Sequence, residues 1–433
     1  MRLIVENIRS FAGRHEVVLK PLTLLVGENS SGKSTLLAAL AALSDKTVFP
    51  GKLSVNKEPH DLGTYRTVAT YKGGKFGRSK SFSIGFGRNH EGPEVLATYK
   101  EAKGDIVLSH LKLDTEHLGA ELHFEEGKMT GTLRSRPKRS TPELPLELEK
   151  SKEFKSEIQL ASEVDPSSVS IVDTLPHFLF RAMREKPETP FQPNEVFQLT
   201  RDVSRNVPMT RSIAPIRSKP RRVYDRSSVG YEPGGDHIPY ILAKLLNDEQ
   251  DKRREQVSFA LKRFGEQSGL FKEIAASILG SHQGDPFEIE VSIAGPRTNI
   301  LDVGYGVSQS LPIVVESLLA APSTRLLVQQ PEVHLHPRAQ AALGTFLVDM
   351  VRDGKRQFVV ETHSDYIIDR IRQEVASKKL SAESVAIVYL DKPHIETTVH
   401  HLSLDESGNI LNAPDTYRAF FLREEMNLLS RVA

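Results

Sequence analysis

Cysteine is absent from the chain. That excludes a disulfide framework, a thiolate zinc site and a cysteine nucleophile, and it fits a reducing compartment. An excess of one charge is also missing, with 57 lysines and arginines against 56 aspartates and glutamates. Without a global field, a nucleic-acid or membrane partner would have to use a local patch. No apolar run approaches the length of a membrane span. The opening Met1-Arg2-Leu3-Ile4-Val5-Glu6 goes straight into an expected strand, with no signal-peptide pattern. There is no internal repeat and no extended heptad run. The expectation is a soluble, cytoplasmic protein with no membrane partner, and 433 residues suggest two or three domains with an ample core.

What is present begins at residue 27. Gly27-Glu28-Asn29-Ser30-Ser31-Gly32-Lys33-Ser34 is a complete G-x-x-x-x-G-K-[ST] phosphate loop. Leu22-Thr23-Leu24-Leu25-Val26 ahead of it suits a buried strand, and Thr35-Leu36-Leu37-Ala38-Ala39-Leu40 behind it is a strong helix former. Such a junction points free backbone N–H groups and a helix N-terminus at one place, which favours an anion there. Gly27 and Gly32 let the chain wrap without a Cβ clash. Asn29, Ser30, Ser31, Gly32, Lys33, Ser34 and Thr35 are therefore the expected phosphate-binding set. Lys33 suits the β- and γ-phosphates and the Ser34 hydroxyl suits Mg²⁺. The pattern implies a nucleoside triphosphate.

Residues 2–26 read as two or three short strands with Gly13 in the first turn. Between 64 and 133, alternation recurs at Lys80–Phe86, Val95–Tyr99 and Ala120–Phe124, which predicts antiparallel strands. The charged, proline-bearing stretch 134–160 reads as an exposed loop or linker. From 170 to about 280 the reading is mostly helical, with helices at Thr174–Glu185, Ile238–Asn247 and Gln256–Leu279. After the strand Phe287–Ile293, helices (Leu311–Ala320, Ala339–Val351, Tyr366–Ala376) alternate with apolar strands (Arg325–Val328, Gln357–Val360). Such alternation predicts a parallel α/β sheet. The expected division is an N-terminal part over 1–135, a mainly helical inserted lobe over 136–284, and a C-terminal part over 285–433. Two strands, Val385–Leu390 and Thr397–Leu404, and a helix near Asp415–Leu429 close the chain.

Further motifs follow the phosphate loop in order. Asp302-Val303-Gly304-Tyr305-Gly306-Val307-Ser308-Gln309-Ser310 is a glycine-rich turn opening a helix, a second natural anion site. Arg325-Leu326-Leu327-Val328-Gln329-Gln330-Pro331-Glu332-Val333-His334-Leu335-His336-Pro337 is an apolar strand entering a polar turn. There a phosphate-loop enzyme keeps the groups that hold the Mg²⁺ shell and orient water. Phe358-Val359-Val360-Glu361-Thr362-His363-Ser364 is a strand ending in a histidine.

In this order the motifs resemble the ATP-binding head of the ABC superfamily, in the branch shared by SMC proteins and OLD-like ATPases. The opening Asn7-Ile8-Arg9-Ser10-Phe11 and the strings PE-x-HLHP and ETHS carry the same resemblance, which covers roughly residues 1–45 and 285–400. It implies an α/β ABC-type head with an antiparallel β lobe and a large, mainly helical insertion. It further implies ATP and Mg²⁺ as ligands, with Lys33 and Ser34 on phosphate and metal, Gln329 near the metal, and Arg9 on a phosphate or the base edge. Gly306, Ser308 and Gln309 would form the signature turn that closes on the ATP of a second subunit. His363 would be the switch histidine, and Pro337 would lie where two subunits exchange contacts. The resemblance therefore implies a homodimer or higher even oligomer that controls a separate effector protein, such as a nuclease, in prokaryotic antiviral defence.

Three departures bear on the chemistry. Gln329-Gln330 replaces the usual acidic pair, and an amide cannot accept a proton as a base. Glu332 is then the first choice to orient water, beside Gln330 and His363, with Glu361 second. In the signature turn, serine sits beside the glutamine. No glutamine occurs between residues 34 and 158, so His60 or Asp61 is offered in place of the loop glutamine that couples metal to the inserted lobe. His334 and His336 form an H-x-H pair without a third nearby ligand, a weak metal pattern. The basic stretch Arg211–Tyr224 is a grip on DNA, as in an SMC-like clamp, or else a solvated loop or an internal set of ion pairs. Arg134–Arg139 is a shorter cluster of the same kind. The tail from Val385 is too short for the TOPRIM nuclease domain of OLD nucleases. A further alternative, raised by the two glutamines, is an ATP-gated scaffold that does not hydrolyse.

Overall fold

The computed structural model describes residues 1–433 except 72, 74–76, 89–92, 116–117, 136–155, 172–173, 185–192, 226–229, 283–284, 323, 355, 420–425 and 427–433. The expected loop over 136–155, most of the Arg134–Arg139 cluster and most of the closing helix lie outside the described residues. The contacts divide the chain into two units, and the chain passes between them more than once.

The first unit takes Met1–Leu19, Ser34–Met209 and Lys392–Thr398. Its centre is an eight-stranded antiparallel sheet. In spatial order the strands are Ser156–Glu163, Lys128–Ser135, Leu118–Glu125, Asp105–Asp114, Glu94–Ala102, Phe82–Gly87, Arg2–Ile8 and Phe11–Val18. Period-two alternation builds it. Leu111, Leu113, Leu122, Phe124 and Leu133 are buried, while polar residues between them face out. Tyr99 is wholly buried, and its hydroxyl donates to Pro50 O at 2.7 Å. Gly13 does not sit in the first turn. It lies inside the second strand at φ 73°, and the turn itself is made by Arg9 and Ser10.

The second unit takes Lys20–Lys33, Thr210–Asp391 and Val399–Ala433. A seven-stranded sheet runs Met209–Ile213, Thr324–Gln329, Gln357–Glu361, Leu22–Gly27, Val385–Asp391, Thr398–Leu404, Ile410–Leu411. Thr324–Gln329, Gln357–Glu361, Leu22–Gly27 and Val385–Asp391 pair in parallel. They are buried along almost their whole length, with apolar residues at their centres, as strands covered on both faces must be. The helices Tyr305–Leu319, Pro337–Arg352 and Asp365–Ala376 pack into the same core. The register aligns Gln329 with Glu361, Glu361 with Leu25, and Leu390 with Gly27. The carboxyl ends of the central strands thus finish together, where open α/β sheets bind ligands.

Within 170–280 the helical reading is only partly met. Thr174–Arg184, Pro193–Asn206, Ile238–Asn247 and Arg254–Ser268 are helices, but Met209–Ile213 and Glu273–Ile278 are strands. The helix expected to reach Leu279 stops at Ser268 because Gly269 takes the left-handed conformation, φ 72°, and caps it. Glu273–Ile278 then pairs with Phe287–Ser292.

Candidate functional site

The loop expected to hold phosphate leaves the carboxyl end of Leu22–Gly27 and enters the helix Lys33–Leu43. Gly27 and Gly32 have φ 147° and 105°, and Ser30 is left-handed at 61°. A Cβ on Gly27 would stand 2.3 Å from Leu390 O, so only glycine fits. Lys33 is buried at 3 % exposure, and its Nζ donates to Gly27 O at 2.9 Å and Glu28 O at 2.7 Å. Burial lowers its pKa, while Glu361, Glu332 and Glu28 act to raise it. The lysine is therefore held inside the loop against two carboxylates from neighbouring strand ends.

Those carboxylates belong to one hydrogen-bonded constellation. Gln330, left-handed at φ 40°, donates its N–H to Glu361 O at 2.8 Å. Gln329 Nε2 lies 3.4 Å from Glu361 Oε2, whereas Gln329 Oε1 is buried with no hydrogen-bond partner among the described residues. Glu332 Oε1 accepts from the His363 N–H at 2.7 Å, and its Oε2 accepts from Thr362 Oγ1 at 2.9 Å. A carboxylate has about four acceptor positions, so Glu332 keeps room for a water. His363 lies at the surface with its ring partly desolvated. Burial and then the Lys33 charge lower its pKa, against Glu361, so the ring is neutral at pH 7. Ser364 caps the next helix through Ile367 N–H and donates to Gln340 Oε1 at 2.6 Å. Gln340 Nε2 in turn donates to Leu335 O at 2.8 Å.

The sequence reading missed what Arg217 does. Arg217 is 3 % exposed, and its Nη2 donates to Gln329 O at 3.1 Å and Gln330 O at 3.2 Å. Its Nε and Nη1 are buried with no hydrogen-bond partner among the described residues. Burial pushes its pKa down to about 10, with Glu332 opposing, so it stays charged. Arg217 therefore fixes the backbone of the glutamine pair. Arg217→Met is expected to lower kcat for nucleotide hydrolysis by roughly 10–100-fold, the value of a hydrogen bond to a charged group, with KM little changed. Steady-state kinetics checks this, and an equal rise in KM would mean a binding role instead. Three other cations of the stretch pair with carboxylates of the chain. Arg211 bonds Glu316 at 2.8 Å, Arg222 bonds Asp302 through two nitrogens, and Arg221 lies 3.8 Å from Asp236. Arg221 and Arg222 remain more than half exposed, so the stretch combines ion pairs within the chain with a solvated face.

The other expected residues are placed as follows. Gly306, Ser308 and Gln309 lie in the first turns of Tyr305–Leu319, and Ser308 Oγ donates to Tyr305 O at 3.0 Å. Ser308 and Gln309 are buried, while Tyr305 is exposed, its ring 6.0 Å from that of His334 and tilted by 38°. His336 spends Nδ1 capping Pro337–Arg352, and among the described residues His334 and His336 belong to no group of three metal-ligating side chains. In the first unit, Arg9 is left-handed at φ 48° and donates to Asp61 O and Leu62 O, each at 3.3 Å. Asp61 Oδ1 accepts from Gly63 N–H.

Burial holds His60 down at about 4, well below its ordinary value. Between pH 6.5 and 4 the unfolded chain therefore takes up a proton that the folded chain refuses. This contribution to stability is full above 6.5 and is lost as pH falls to 4, on the order of 3 kcal/mol. His60→Asn, followed by urea unfolding across that window, is expected to flatten the fall. An unchanged curve would clear His60 as its cause.

A phosphate loop on a parallel sheet, with its lysine between strand-end carboxylates, defines a P-loop nucleoside triphosphatase. Over residues 22–369 the chain matches the family described as "AAA domain, putative AbiEii toxin, Type IV TA system". It belongs to that family of AAA-domain ATPases. No curated protein matches it. Among solved structures it is similar to an SMC head bound to the C-winged helix domain of ScpA, at 12 % identity, covering 94 % of this chain and 98 % of that one, TM-score 0.42. It is also similar to the SMC head domain from Thermotoga maritima, at 11 % identity over 92 % and 97 %, TM-score 0.36. A third is an Smc head domain with an extended coiled coil bound to the C-terminal domain of ScpA, from Pyrococcus furiosus, at 12 % identity over 100 % and 98 %, TM-score 0.42. Among the described residues no helix is long and apolar enough to cross a membrane.

Proposed function

We propose that the chain binds ATP with Mg²⁺ at Gly27–Ser34, hydrolyses it, and uses its nucleotide state to regulate a separate effector protein. The observation that carries hydrolysis is the seating of Glu332, whose two oxygens are held by the His363 N–H and Thr362 hydroxyl. Such a carboxylate is oriented before any water arrives, so it can accept the proton or hydrogen bond of an attacking water. Ser34 and Gln329 would hold Mg²⁺. Both are oxygen donors suited to a hard cation, and the unpartnered Gln329 Oε1 fits a metal-bound water. Mg²⁺, when bound, supplies neutralisation of charge on the transferring phosphoryl group. Asn29, Ser30, Ser31, Gly32 and Thr35 would add loop and helix N–H groups around the phosphates, and neutral His363 would donate toward the γ-phosphate.

The resemblance of the PE-x-HLHP and ETHS strings to OLD-like ATPases, and the toxin–antitoxin wording of the family, support a role in prokaryotic antiviral defence. The same resemblance supports a head-to-tail dimer in which Gly306, Ser308 and Gln309 complete the partner's site. One observation favours a second reading. Gln329 and Gln330 remove the acidic pair, which suits an ATP-gated scaffold that does not turn over. An SMC-like clamp on DNA has less support, because Arg211, Arg217, Arg221 and Arg222 are occupied within the chain.

Oligomer mass with and without ATP, recorded beside ATP turnover, tests the three. Turnover with ATP-dependent dimerisation supports the regulatory ATPase. Dimerisation without turnover establishes the scaffold, and salt-sensitive DNA binding lost on Arg221 and Arg222 substitution would establish the clamp.

A further inference from the structure

The antiparallel strands Asp105–Asp114 and Leu118–Glu125 set His110 directly opposite His123, and Lys112 opposite Glu121. Alternation sends Leu111, Leu113, Leu122 and Phe124 to the buried face, which leaves His110, Glu121 and His123 together on the other. The two imidazoles stack with centroids 4.6 Å apart. His110 Nε2 lies 3.2 Å from Glu121 Oε1. One ligand atom from each of the three residues lies within 4.8 Å of the other two.

Around a tetrahedral zinc ion with bonds of about 2.0–2.1 Å, ligand atoms stand roughly 3.4 Å apart. The His110–Glu121 pair already has that spacing, and the exposed His123 side chain has room to close on it. We propose that His110, Glu121 and His123 bind a divalent transition metal of the zinc class on the face of the antiparallel sheet. The site shares no residue with the phosphate loop. Two imidazoles and one carboxylate favour zinc, cobalt or nickel over Mg²⁺ or Ca²⁺, which prefer all-oxygen shells. Three protein ligands leave a fourth position open to water. The ion would join two adjacent strands at facing register positions and so raise their resistance to separation.

Titration of the untagged, full-length protein with Co²⁺ tests this through the intense d–d absorption of four-coordinate cobalt. One Co²⁺ per chain is expected, displaced by Zn²⁺, with an upward shift of the melting temperature. His123→Asn and Glu121→Gln, both at positions open to solvent, should each weaken binding by more than the roughly 10–100-fold that loss of a supporting group costs. His334→Asn should leave it unchanged. Absence of the absorption band in the unaltered protein overturns the proposal. A band that survives His123→Asn and Glu121→Gln also overturns it, by placing the metal elsewhere.

Discussion

Glu332→Gln is expected to cut ATP turnover by about 10²–10⁴-fold, the usual share of a positioned acid–base group, while ATP binding is retained. The substitution keeps the side chain's shape. Its Oε1 can still accept from the His363 N–H, but the amide NH₂ now faces the Thr362 hydroxyl and cannot take a proton. Because the strand end and the phosphate loop are otherwise untouched, nucleotide affinity should stay within a few-fold. Turnover equal to that of the unaltered protein would move the role to Glu361, the other carboxylate acting on Lys33.

Lys33→Ala is expected to remove turnover and to weaken ATP binding together. Lys33 Nζ is the buried cation of the loop, tied to Gly27 O and Glu28 O. Its loss leaves those carbonyls and three nearby carboxylates with only Arg217 against them, and an incoming triphosphate would meet net negative potential. Fluorescent-nucleotide titration checks it. Binding preserved in Lys33→Ala would mean that the loop is not where the nucleotide sits.

Much of the second unit could be read from the chain. The phosphate loop announces its own strand and helix, and the apolar runs Arg325–Val328 and Gln357–Val360 could only be covered strands. The chain singles out Glu332 as the first carboxylate after the Gln329-Gln330 pair; what the structure adds is the seating of both its oxygens on His363 N–H and the Thr362 hydroxyl. The break after Ser268 was not legible, since Val257, Leu261 and Phe264 set a helical period that Phe271 and Ile274 continue, and the glycine at 269 is a single weak signal. Arg217 was hidden for another reason. It stands in a run of cations, and sequence cannot distinguish one that turns inward from four that do not. The His110–Glu121–His123 grouping needs the pairing register of two strands, which strand propensity alone does not supply.

The pairing of charges around the phosphate loop has a consequence for the protein between encounters with nucleotide. Lys33 and Arg217 are two interior cations; of the three carboxylates that act on Lys33, Glu332 and Glu361 are the less exposed, while Glu28 stands in solvent on the loop. With Gln329 and Gln330 uncharged, the four formal charges cancel. An aspartate at either position would leave an excess anion calling for a metal even in the empty site. Here the nucleotide-free protein has no such debt, so it can wait in a self-neutralised state, and arrival of the triphosphate itself, rather than of the cation, is what upsets the balance.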